Sequence, residues 1–574
     1  MSAIQLLSAI FLLALIGCGE KRPVFEAPLL KNIGGYSVPV TTSSKYARQF
    51  FDQGMIMANA FNHGEAERSF REAVRLDSTF AMGYWGIAYV LGPNLNSADN
   101  LGAAREIQWA VSRAGRFVGS VSAWEKALID AFRTRFPADS TAADDDGFVM
   151  SMKLAHGEFP GNTFLTTLYA ESLMNRHAWD FFDGKGGPAR SWTPEILSLL
   201  EEVLAADPKN PLANHLYLHA TESGSDFVKA LECAERLKTL VSPAGHLVHM
   251  PSHIYINTGD YHEGSLANED AVKADSAYIA ECRVQGYYPQ MYYTHNYHFL
   301  AATTAFEGRA ARSIEAAFKT AGLVESRYHH EPGFETVQHY LTIPDHVLVK
   351  FAQWEKILAQ PAPAADLPYP GAIRHYARGM AYANMGKPAA AGEELKQLNE
   401  LAGNPLLEGQ MIWGINSVSE VCRIAALVLR AEILVTEGRP QQAVPLLAEA
   451  VRIEDQLNYT EPPDWFFSVR HSLGALLLQI GDAVQAEKVY REDLAHWPRN
   501  GFALNGLAKS LEGQGKVAEA RDARAQFAEA WKYADTELAA SRIDPAKRKN
   551  VTLKTDASSP AGLIALNGVM CMGR

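Results

Sequence analysis

Apolar residues recur every three or four positions along almost the whole chain, and runs that alternate with period two are nearly absent. That spacing is the period of amphipathic helices. The helical segments it predicts are short, and Gly, Asp or Pro ends each of them. Toward the C-terminus the breaks become regular. "LLLQIGDAVQAEKVY" places Gly481 five residues before Ala486, and "SLEGQGKVAEARDA" places Gly515 five before Ala520, an offset of 34. "ILVTEGRPQQAVPLL" repeats the spacing with Gly438 and Ala443, and "AYANMGKPAAAGEEL" with Gly386 and Ala391.

The glycine ends a first helix by accepting a left-handed backbone, and the small residue lets a second helix pack closely against it. A 34-residue helix–turn–helix period is that of tetratricopeptide repeats. The expected fold is therefore all-α, a right-handed tetratricopeptide superhelix (an α-solenoid), because no single unit can bury its apolar face alone. The punctuation returns more weakly at Gly259/Gly264 and Gly308/Ser313, and residues 51–77 read as a first unit. The expected organisation is a leader over 1–18, a linker over 19–44 and an N-terminal array with a histidine-rich groove over 45–357. A Pro/Ala-rich connection over 358–372, a C-terminal array over 373–540 and a tail over 541–574 complete it.

A length of 574 residues with 47% hydrophobic content suits such an array. The net charge of −12, spread along the chain, argues against nucleic acid as a partner. The apolar run from Ile4 to Ile16 is short for a spanning helix and suits a signal-peptide core. Leu15-Ile16-Gly17-Cys18 after it resembles a bacterial lipobox, although no Lys or Arg precedes the run. The expectation is a lipid on Cys18, which makes the membrane a partner and places the chain at a bacterial cell envelope, facing the periplasm or the exterior. The other cysteines form no CxxC zinc motif. A Cys233–Cys282 bridge is compatible with an oxidising periplasm.

The candidate chemistry lies in "HLYLHATE" (215–222) and "HLVHMPSH" (246–253). His215 and His249 are 34 apart, as are His219 and His253, so the repeat predicts that these rings become neighbours. His215 and His219 share one helical face with Glu222. His246, His249 and His253 share another, although Pro251 should kink that helix. "YYTHNYHFLAATTAFEG" adds Tyr293, His295 and His298. Eight of the 18 histidines fall between 215 and 298, too dense for random scatter.

Neutral imidazoles with a carboxylate are what a divalent Zn, Cu or Fe ion asks for. The expected ligands are His215, His219, His249, His253, His295 and His298. His246, Tyr293, Trp465 and Arg470 are expected to line the groove for a peptide, a protein or a small molecule. Leu216 stands where the HExxH glutamate of a metallopeptidase would be, which excludes that class. Glu222 and Glu461 are the acid/base candidates if the site is catalytic. The bland alternative is histidines packed singly between helices. The segment 325–346, with His329, His330, His339 and His346, reads either as a cover over the groove or as an exposed turn.

"FDQGMIMANAFNHGEAERSF", "AMGYWGIAYVLGPNLN", "NHLYLHATE", "GHLVHMPSHIYINTGDY", "YYTHNYHF" and "EPPDW" together resemble a large family of bacterial tetratricopeptide-repeat proteins, many of them secreted or lipid-anchored. The resemblance covers most of residues 45–540 and implies the fold, without an activity to carry over. Three functional readings follow: a scaffold with a ligand- or metal-binding groove, a metalloenzyme of oxidative or hydrolytic type, and a plain protein–protein adaptor.

Overall fold

The computed structural model describes residues 24–31, 33–96, 101–184 and 186–543. The leader, Cys18, Cys571 and the tail beyond 543 lie outside the described residues. Within them the chain is an α-solenoid of tetratricopeptide-type helix pairs. Lys45–Asn59 pairs with His63–Leu76, Thr294–Phe306 with Ala310–Leu323, Val418–Thr436 with Pro440–Glu454, and Gly501–Gly513 with Val517–Ala530. None of the described helices is long and apolar enough to cross a membrane.

The pairs turn where the glycine spacing places them. Gly386, Gly438, Gly481 and Gly515 carry φ values of 72°, 77°, 86° and 73°. Their partners five residues on, Ala391, Ala443, Ala486 and Ala520, are buried. Gly259 shows why the position excludes a side chain: φ is +77°, and a Cβ would lie 2.2 Å from the carbonyl oxygen of Pro498. That contact also shows the array curling back on itself. Tyr261 donates to the Pro498 carbonyl (2.9 Å), and Asp535 N donates to that of Gly308 (3.1 Å).

The organisation differs from the expected one in three places. The connection over 358–372 is no break in packing, since Ile357 before it and Ile373 after it belong to one core, with Tyr369 inside it. The two large cores instead meet at Tyr255 and Ile256, inside one helix, Pro251–Thr258. A short antiparallel ribbon, Met411–Ile412 with Asn416–Ser417, interrupts the helices; its turn is Trp413-Gly414-Ile415. Cys233 and Cys282 are buried and free, so the bridge does not form.

Candidate metal centre

Three helical stretches position the site. Pro211–Thr221 starts with Pro211 at its first turn, and Asn210 caps it by accepting from Ala213 N. The second stretch is split. Gly245–His249 ends and Pro251–Thr258 begins at Met250, because Pro251 supplies no N–H to continue the helical ladder. The third is Thr294–Phe306, entered through the π-helical turn Pro289–Tyr293.

Two groups of three histidines result. Nε2 of His215 lies 3.1 Å from Nε2 of His219 and 3.1 Å from Nε2 of His246. Nε2 of His249 lies 2.8 Å from Nε2 of His253, and His295 completes that group. In each group the three donor atoms lie within 4.8 Å of one another. The groups adjoin, with ring centroids 5.7 Å apart for His219 and His253 and 5.8 Å apart for His246 and His249.

The pairing departs from the 34-residue rule. His215 meets His246, 31 residues on, and not His249. His246, expected only to line a groove, thereby enters a donor set.

The outward nitrogens decide which lone pairs face inward. Nδ1 of His215 donates to the Asn59 carbonyl (2.8 Å), and Nδ1 of His219 to Glu222 Oε1 (3.0 Å). Nδ1 of His249 donates to Asn268 Oδ1 (2.7 Å). The amide is turned that way because Asn268 Nδ2 donates to the Gly264 carbonyl (2.7 Å). In each neutral ring Nε2 is then a bare lone pair, and the lone pairs of His215 and His219 point at one another. Lone pairs at this distance repel unless a cation sits between them. Metal–nitrogen bonds of roughly 2.0–2.1 Å place neighbouring ligands about 2.9 Å apart at square corners and about 3.3 Å apart on a tetrahedron, which brackets the 3.1 Å spacing of His215 from His219 and from His246.

The electrostatics agree. Burial first, and the neighbouring rings second, hold His215, His246, His249 and His295 well below the usual histidine range, which keeps them neutral. His253 differs. Burial opposes its charge, but Glu222 and Glu461 outweigh burial and raise it. Its Nδ1 lies 2.8 Å from Glu222 Oε2 and 2.8 Å from Glu461 Oε2, in neither case along the ring N–H direction. These three side chains form a further donor set, so His253 turns one nitrogen to His249 and the other to the carboxylates. Glu222 spans both histidine groups, one oxygen on His219 and the other on His253. Glu461 arrives from some 200 residues away because the superhelix returns, and Asn257 Nδ2 donates to its Oε1 (2.5 Å).

A cavity of about 330 Å³ opens on this cluster. His219, Glu222, His246, His253, His295 and Glu461 line one side, and Trp179, Tyr287, Tyr292, Trp413 and Tyr459 the other. Three residues around the site hold a left-handed backbone that large side chains seldom adopt: Phe61 (φ 56°), Trp179 (φ 60°) and Trp413 (φ 55°). Each sets its ring against a ligand candidate. Phe61 lies 4.6 Å from His215, Trp179 lies 5.1 Å from His219, and Trp413 lies 5.8 Å from His295. Sequence reasoning missed all three. Trp413-Gly414, flanked by "MI" and "IN", was the available signal for the ribbon turn.

Other expected site residues lie elsewhere. His298 is buried away from the cluster, stacked on Phe466 at 5.1 Å and beside His339. A three-residue step on a helix leaves it about 60° off the face of His295. Tyr293 is half-buried and packs on Tyr297. Trp465 packs against His346 and Tyr376. Arg470 donates bidentately to Asp455 (2.8 and 2.7 Å), which occupies its fork. The segment 325–346 divides: His339 and His346 are buried around His298 and Trp465, while His329 and His330 lie on a turn outside.

No protein-family model matches the chain, and no curated protein sequence does. Solved structures similar to it are the Cut9–Hcn1 hetero-tetramer of the APC/C, the human IFIT1 dimer with PPP-AAAA and the P58(IPK) TPR domain. The first is 13% identical, covers 86% of this chain and 80% of that one, and has a TM-score of 0.34. The second is 13% identical with 83% and 88% covered and a TM-score of 0.29. The third is 12% identical with 82% and 99% covered and a TM-score of 0.21. With scores this low, the fold assignment rests on the helix pairs themselves.

Proposed function

We propose that this protein is a lipid-anchored helical-repeat protein of the bacterial envelope that holds two transition-metal ions in adjacent three-histidine sites. The observation that carries the reading is the set of outward hydrogen bonds on His215, His219 and His249, which turns three Nε2 lone pairs inward. His215, His219 and His246 would hold one ion, and His249, His253 and His295 the other, with Glu222 between them. Nitrogen-rich donors of this kind suit zinc, copper and iron and serve magnesium or calcium poorly. An ion held there supplies Lewis acidity or redox chemistry, and this chain supplies the neutral rings, the carboxylates and the aromatic wall. The adjoining cavity favours use of the centre on a small molecule, with the Glu222 and Glu461 carboxylates at its edge. Anchoring rests on the lipobox-like run that ends at Cys18.

Metal analysis of full-length protein purified without a histidine tag is the test. Two equivalents of zinc, copper or iron are expected, retained through dialysis and lost in a His215→Ala/His249→Ala double variant. Metal-free protein whose melting temperature does not move on adding each of these ions would leave the adaptor reading in place. For the anchor, Cys18→Ser should move the chain from the membrane fraction to the soluble fraction; continued membrane association would overturn that part.

A further inference from the structure

A second cavity, of about 780 Å³, lies apart from the histidine groups, and Lys350, Tyr376, Trp465, Phe467, His471 and Arg542 are among the residues lining it. Lys350 ends the helix Ile343–Lys350, and its Nζ lies 2.7 Å from Nδ1 of His471. Nε2 of His471 donates to Asp493 Oδ2 (3.0 Å). Asp493, fully buried, also accepts from Asn500 Nδ2 (3.0 Å), and Ser541 Oγ donates to the His471 carbonyl (2.6 Å). The carboxylate thus fixes the tautomer, and the remaining ring lone pair faces the lysine. Carboxylate, imidazole and amine stand in the order by which a buried acid orients a base and the base activates a nucleophile. The amine lies over the face of Phe502, 3.5 Å from its centroid, and near Phe467.

We propose that Lys350 is an activated amine that forms an imine with an aldehyde or ketone entering this cavity, with His471 as the base and Asp493 as its orienting residue. The neutral lysine nitrogen bonds to the carbonyl carbon as the C=O π pair moves to oxygen, and the first of its two protons passes through Nδ1 of His471 to that oxygen, giving a carbinolamine. The second nitrogen proton passes by the same route to the hydroxyl as the C–O bond breaks. Water leaves and the C=N bond forms, with no change in oxidation state.

The surroundings support a neutral amine. Burial holds Lys350 down to about 7, and Arg542 adds to the lowering while Asp493 and Glu454 oppose it. His471 is kept low chiefly by burial, which leaves the ring neutral and able to accept a proton. An ordinary lysine, titrating near 10.4, is neutral at pH 7 in only about one molecule in 2,500. This site is separate from the proposed metal centre, and neither reading depends on the other.

The test is reductive labelling of the full chain with benzaldehyde and cyanoborohydride at pH 7, followed by peptide mass spectrometry of every lysine. Lys350 should label at least about tenfold faster than the median lysine, with a rate that reaches half its maximum near pH 7. His471→Gln should slow Lys350 about fivefold or more and leave the other lysines unchanged. Labelling of Lys350 at the median rate or below in the unmutated protein would overturn the proposal. So would a rate profile that rises only above pH 9.

Discussion

Nε2 of His249 lies 2.8 Å from Nε2 of His253. The other nitrogen of His249 already donates to Asn268, so the facing lone pair must meet a positive centre. That centre is either a proton held by His253 or a metal ion bound by both rings. Metal binding at this pair therefore displaces a proton, as ligation of protonatable donors generally does.

The two ions should be separable. His246→Ala removes a donor from the first group alone, and His295→Ala from the second alone. Each variant is expected to keep one equivalent of metal where the parent keeps two, measured after equilibrium dialysis. Loss of both ions from either variant would mean one shared site.

Asn268 touches no ion in this scheme, yet it aims His249. Asn268→Ala should weaken metal affinity at the second group by about 10–100-fold, the usual effect of removing such an outer partner. Competition with a chromophoric chelator reads it, and unchanged affinity would refute the role.

Phe70 fixes the first repeat. A Cβ on Gly86 would lie 2.6 Å from its Cδ1, and one on Gly54 would lie 2.6 Å from its Cε1. Gly86→Ala is expected to cost about 1–3 kcal/mol by overpacking, and Phe70→Leu in the same chain should restore part of it. Denaturant unfolding with a fixed m-value checks both.

Glu171 gives the fold a pH dependence. It is buried and accepts from the Tyr89 hydroxyl with both oxygens (2.8 and 3.0 Å). Burial raises its carboxyl to about 7, against partial opposition from Tyr89 and Arg135. A carboxyl raised in the folded state holds its proton more tightly there than in the unfolded chain. Its contribution to stability is full below about pH 4 and is lost as pH rises through about 7. Glu171→Gln should flatten that loss, so its melting temperature should fall less between pH 5 and pH 8 than that of the parent.

Much of the fold was legible. The five-residue step from Gly386, Gly438, Gly481 and Gly515 to a small residue marked real turns, since only glycine enters the left-handed region at so little cost. The density of histidines pointed to the right stretches, and the i,i+4 pairs His215/His219 and His249/His253 do converge. The site was legible in part. Read from sequence, His246 takes a lesser role and His298 a greater one; His246 meets His215 at a 31-residue rather than a 34-residue offset, and a three-residue step on an intact helix turns His298 about 60° off the face of His295. Trp465 and Arg470 share a motif region with Glu461, but only Glu461 reaches the cluster.

What the sequence determined by itself is local: where helices start and stop, where paired helices turn, and which histidines share one helical face. Those properties repeat every 3.6 residues and depend on near neighbours alone. The tertiary structure decided the pairing of His215 with His246, the arrival of Glu461 beside His253, and the aromatic wall of Phe61, Trp179 and Trp413. These depend on how helices from different repeats pack against one another and on the curvature summed over the whole array. Small angles at each repeat accumulate over hundreds of residues, and no short window of sequence contains that sum.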